Sequence, residues 1–167
     1  MATLKTKSAN KSCIVDKKVC VVLDDMRSLF NVGSIFRTSD GAGVSKIYLC
    51  GITGTPPRPQ IEKTALGAEK TIEWEYKKSA LKTIKDLKKD GFQIVALELC
   101  KKSELFNSAK YEDKVCLVVG NEVSGIRKSI LKNADRVVFI PMRGKKESLN
   151  VSVAFGIGVY EIANKLF

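Results

Sequence analysis

Short β-branched apolar runs, separated by stretches with helical spacing, constrain this chain more than any other feature. Val19-Cys-Val-Val-Leu23 reads as a buried strand that ends at Asp24 and Asp25. Further strands are expected at Ile47–Cys50, Phe92–Leu99, Val115–Val119 and Val137–Ile140, with an extended piece at Thr71–Tyr76. Between them, residues 31–40 place Val32, Ile35 and Phe36 on one helical face, closed by Gly41 and Gly43. After a Gly/Thr/Pro loop over 51–60, a short helix is expected around Glu62–Gly67. Ser79–Lys89 turns Leu81, Ile84 and Leu87 inward and its lysines outward. A short helix over Ser124–Asn133 and a long one from about residue 149 to 167 complete the pattern. Strands alternating with helices predict a mostly parallel α/β sheet with helices on both faces. With no internal repeat and no long linker, 167 residues fit one domain. That domain is expected over 19–167, behind a loose basic arm at 1–18.

Charge and composition narrow the chemistry. Lys and Arg number 29 against 18 acidic residues, a net charge of +11. Such an excess attracts polyanions, nucleic acid foremost, although anionic lipid and plain solubility are also served by it. No apolar run approaches the roughly 20 residues that span a bilayer, and the first residues hold no apolar leader; a cytoplasmic protein is expected. There is no histidine, so Ser-His-Asp and Cys-His catalytic units are excluded. The five cysteines are scattered, and none forms a Cys-x-x-Cys pair, so no metal site is expected. Any catalysis falls to Arg, Glu, Asn, Ser or Lys.

Three segments lie where strands end, the usual place for ligands on open α/β sheets. In Asn31-Val-Gly-Ser-Ile-Phe-Arg37, Asn31 suits a helix cap and Arg37 a surface cation, or both serve a site. In Val118-Val-Gly-Asn-Glu-Val-Ser-Gly125, Gly120 permits close backbone approach to a ligand. Glu122 there either complements the following helix dipole or holds a donor at the sheet mouth. In Ile140-Pro-Met-Arg-Gly-Lys-Lys-Glu-Ser-Leu-Asn-Val-Ser152, Ser148 or Asn150 suits a cap of the last helix. Gly156 and Gly158 within that helix cost roughly 1 kcal/mol each against Ala, which is easier to rationalise if another backbone packs there. The phosphate-binding patterns of dehydrogenases and nucleotide hydrolases are missing, which disfavours another kind of nucleotide-binding protein.

Taken together and in order, NVGSIFRTSDGAGV, LVVGNEVSGI and IPMRGKKESLNVSVAFGIGVYE resemble the three motifs of the SpoU/TrmH RNA ribose 2′-O-methyltransferases of the SPOUT superfamily. The resemblance runs from about Val19 to Leu166. It implies a C-terminal deep trefoil knot, an exception to the general absence of knots, and a homodimer packed through the last helix. It further implies S-adenosylmethionine held by Gly120, Ile140 and Leu149, with Leu97 a weaker addition. Arg37 would act on the ribose 2′-hydroxyl, with Asn31, Glu122, Ser148 and Asn150 positioning it, the RNA phosphate and the pocket loops. An arginine is a cation at physiological pH, so Arg37 is expected to polarise the hydroxyl rather than remove its proton. No metal is required. Many such proteins carry an added RNA-binding domain, whereas only the basic arm is seen here. RNA selection would then rest on that arm, the dimer surface and Lys145 and Lys146, with tRNA favoured over rRNA. A catalytically silent RNA-binding relative is the alternative. Gly120→Val is expected to block the cofactor and leave the fold intact.

Overall fold

A computed structural model describes residues 16–167, so residues 1–15 of the expected arm lie outside the described residues. Seven strands form one sheet: β1 Lys18–Asp24, β2 Lys46–Cys50, β3 Glu73–Lys77, β4 Gln93–Leu97, β5 Glu104–Leu105, β6 Lys114–Val119 and β7 Arg136–Phe139. Their order is β3-β2-β1-β6-β4-β7-β5, and every pairing is parallel. Parallel neighbours need crossovers, supplied by α1 Leu29–Gly41, α2 Pro59–Ala65, α3 Ala68–Thr71, α4 Ala80–Lys89, α5 Lys128–Leu131 and α6 Val151–Leu166.

Alternation along β1 divides the interior in two, because successive side chains point to opposite faces. Val19, Val21 and Leu23 join Ile35, Phe36, Phe155 and Val159 beneath α1 and α6. Cys20 and Val22 join Ala80, Ile84, Ile126 and Ile130 beneath α4 and α5. Helices therefore cover both faces of a sheet whose central strands are buried on each side, as expected of β-branched runs without alternation.

Several local expectations are corrected by the structure. The first helix starts at Leu29, with Ser28 as its cap accepting from the Asn31 amide, so Asn31 sits in the first turn. Part of the loop expected over 51–60 is helical, because Pro59 begins α2, where its fixed φ suits a first helical position. The helix expected over Ser124–Asn133 shrinks to Lys128–Leu131. Asn121 accepts from the amides of Val123 and Ser124 at 2.9 and 3.0 Å, and Gly125 takes φ +67°, so the chain turns before it can wind. Strand β4 stops at Leu97 and β7 at Phe139, which leaves Ile140 just beyond its strand. Among the described residues of this chain no neighbouring backbone crowds the α6 glycines. A methyl at Gly158 would meet Leu97 at 3.4 Å and one at Gly156 would meet Thr38 at 3.6 Å, both side chains.

Candidate functional site

The carboxyl ends of the adjacent strands β4, β6 and β7 open into a cavity of about 940 Å³. Its walls are the loops that follow those strands. Leu97, Gly120, Ile140 and Leu149 all line it, together with Glu122, Ser148 and Asn150. Asn31 reaches it indirectly. Arg37 does not line it: the side chain is exposed on α1.

Glu122 is the junction of the site. One carboxylate oxygen accepts the Arg27 amide at 2.9 Å, and the other accepts the Ser28 amide at 2.9 Å and Asn31 Nδ2 at 3.1 Å. A carboxylate takes only donors, which leaves Asn31 Oδ1 to accept from Asn150 Nδ2 at 3.2 Å. Asn150 Oδ1 in turn caps α6 by accepting the Ser152 amide at 2.9 Å. Asn150 thus caps α6 and joins this network at once. Three segments far apart in sequence are tied into one hydrogen-bonded chain, Glu122–Asn31–Asn150.

Burial opposes the Glu122 charge, but the amides of Arg27 and Ser28 and the side chain of Asn31 outweigh it and hold the carboxyl below its ordinary range. A depressed folded-state value means that stability from this group is present above its unfolded pKa and is lost as pH falls through the folded one. Glu122→Ala leaves three donors without their acceptor. We expect a loss of about 1 kcal/mol, near the low end for unsatisfied groups because water reaches the site. Chemical denaturation at pH 7 and at pH 3 checks this: the gap between the two proteins should narrow at low pH.

Gly120 is constrained by the protein itself. A Cβ there would lie 2.5 Å from the carbonyl carbon and oxygen of Gly125 and 2.7 Å from the Ile126 nitrogen. The tight Asn121–Gly125 bridge folds back directly over it. A valine would displace this turn, so its effect would reach beyond simple steric blocking of the cofactor, although the fold is expected to stay largely intact.

Two contacts escape sequence reasoning. Glu98 lines the cavity and accepts the Leu99 and Ile126 amides, both at 3.0 Å, bracing the loop after β4 against the loop after β6. Asp24, 1% exposed at the end of β1, is held by the Arg127 guanidinium through both of its oxygens. An acid after a strand and a cation after a turn give no local signal of either bond. The loop over 141–149 makes no backbone–backbone hydrogen bond among the described residues, so its peptide groups are available to a ligand. Apolar walls, a close-approach glycine and free backbone groups fit an adenosine-bearing molecule of S-adenosylmethionine's size.

Residues 18–160 match the SpoU rRNA Methylase family. A tRNA (guanosine(18)-2′-O)-methyltransferase of Aquifex aeolicus is 37% identical over 145 residues, 87% of this chain and 68% of that protein. A 23S rRNA (guanosine-2′-O-)-methyltransferase of Blochmanniella floridana is 35% identical over 84% of this chain and 55% of its own length. The crystal structure of an AdoMet-bound rRNA methyltransferase from Sinorhizobium meliloti superposes with a TM-score of 0.84 at 30% identity, covering 90% of this chain and 57% of that one. This chain therefore spans between about half and two thirds of the length of these relatives. From the match over nearly all its described residues and from the common sheet, the chain belongs to the SpoU methylase family.

Proposed function

We propose that this protein transfers a methyl group from S-adenosylmethionine to a ribose 2′-hydroxyl of structured RNA, tRNA ahead of rRNA. The observation that carries this is the Glu122–Asn31–Asn150 chain at the mouth of the cavity. It fixes the first turn of α1, the loop after β6 and the cap of α6 relative to one another. A purely RNA-binding relative has no need of that junction beside a deep cavity. When bound, S-adenosylmethionine supplies an electrophilic methyl on a sulfonium. Leu97, Gly120, Ile140 and Leu149 would hold it, with Ser148 at the same wall, and Arg37 would stabilise negative charge developing on the ribose oxygen as its proton passes to water or an RNA phosphate. Positioning of the two reactants in line does much of the remaining work.

The same proposal includes a deep C-terminal trefoil knot and a homodimer through α6, in a cytoplasmic protein with a basic N-terminal arm. The loops after β6 and β7 both line the one cavity, an arrangement compatible with such a knot. Val153, Ile157 and Tyr160 recur at helical spacing on α6 and are 51%, 38% and 45% exposed, an apolar stripe that a second copy would cover. Thr38 and Gly41 of α1 border it: a methyl added at Gly156 would meet Thr38, and one added at Gly41 would meet the Tyr160 hydroxyl. Arg37 adjoins that edge, so dimerisation and RNA together decide which cavity it serves. Light scattering should show a dimer at micromolar concentration, and a monomer would refute the α6 interface. Purified tRNA and rRNA offered separately as acceptors test the substrate: label in tRNA is expected, and label confined to rRNA would overturn that preference.

A further inference from the structure

Helix α4 buries Ala80, Thr83, Ile84 and Leu87 and turns Lys82, Lys85, Lys88 and Lys89 to solvent. Lys88 and Lys89 lie in its last turn, where cations favour the helix dipole. Lys82 lies in the first turn, against that dipole, with no acidic residue there to offset it. The fold itself gains nothing from that charge. Two neighbouring lysines knit the surface together. Lys88 Nζ donates to the Asn133 carbonyl at 2.9 Å, and Lys102 Nζ donates to the Leu131 carbonyl at 2.7 Å. They bind α4 and the loop after β4 to the end of α5. Lys132 is exposed between those two anchor points, and Lys128 on α5 lines the cavity. Three nearby acids are engaged, Asp135 with Lys88, Asp86 with Lys89, and Glu98 with backbone amides, while Asp90 caps the far end of α4.

We infer that these lysines, Lys128 at the cavity rim, Lys132 just beyond α5, and Lys85 and Lys82 on α4, form the surface along which the RNA backbone lies. The inference rests on the RNA reading above and adds where the polyanion lies. The strip covers the sheet face under α4 and α5, opposite the face bearing α6 and its apolar stripe. A dimer through α6 leaves it open on both copies. Lysines act here as point charges on phosphate, which gives affinity and registers no base sequence.

The test uses the full chain and a pool of tRNA. Lys82, Lys85 and Lys132 are replaced together by Gln, which keeps helix propensity close to that of Lys. A matched variant replaces Lys63, Lys70 and Lys110, exposed lysines outside the strip. RNA affinity is measured across a salt series, and S-adenosylmethionine affinity by calorimetry confirms that both variants fold. The strip variant should lose about two units of the slope of log affinity against log salt, because fewer counterions are released. The matched variant should lose less than half of that. Equal slopes for the two variants, or a strip variant indistinguishable from the unaltered protein, would overturn the inference and leave the enzyme reading standing. An unaltered protein that neither binds nor methylates RNA would instead sink the enzyme reading itself.

Discussion

Arg37→Ala lowers the rate of a single methyl transfer at saturating RNA by at least ~100-fold, in line with loss of one donor to developing charge. RNA affinity falls far less. The side chain is exposed on α1 and does not line the cavity of its own protomer, so its removal disturbs no packing and leaves the cofactor pocket unchanged. Loss of a contact made only in the transition state shows in turnover with both reactants in excess. Quenched-flow measurement of one methylation cycle checks this. If the saturated rate survives and only RNA affinity drops, Arg37 is a phosphate clamp and the charge developing on the ribose oxygen is stabilised elsewhere.

Gly120→Val abolishes detectable cofactor binding, a fall of more than about 100-fold in affinity. The cause is the displaced turn as much as the filled space. The added carbons meet the Gly125 and Ile126 backbone at 2.5 and 2.7 Å, and backbone gives way only by moving. That movement carries Glu122 and the Glu98–Ile126 brace with it. Calorimetry with S-adenosylmethionine, alongside a melting curve, separates the effects: binding is lost while the protein still melts cooperatively at a lower temperature. Unchanged cofactor affinity in the folded variant would remove the loop after β6 from the pocket.

What was legible in the chain follows from the range of each signal. Strands β1, β2 and β6 announce themselves because burial on both faces demands uninterrupted apolar residues. Strand β5 is two residues, Glu104 and Leu105, too short for any pattern. The overlong α5 traces to a side chain: Asn121 spends its oxygen on the next amides and turns the backbone before Lys128. Leu97, Gly120 and Ile140 were readable near strand ends, and Leu149 within the third motif. The Glu98–Ile126 and Asp24–Arg127 bonds were not, since their partners are separated by 28 and 103 positions and neither leaves a local pattern. The α6 glycines meet ordinary side-chain contacts within the described residues of this chain, so their local sequence does not explain the choice of small residues there.

The central claim is tested most directly by the chemical identity of the product. The full chain is incubated with methyl-labelled S-adenosylmethionine and a pool of tRNA and rRNA lacking the modification, and the RNA is digested to nucleosides and resolved by mass spectrometry. The account predicts label in a 2′-O-methylated nucleoside, on the ribose fragment, and none after Arg37→Ala within the same time. Label on a base fragment, or S-adenosylmethionine bound with no label in any RNA, would contradict it.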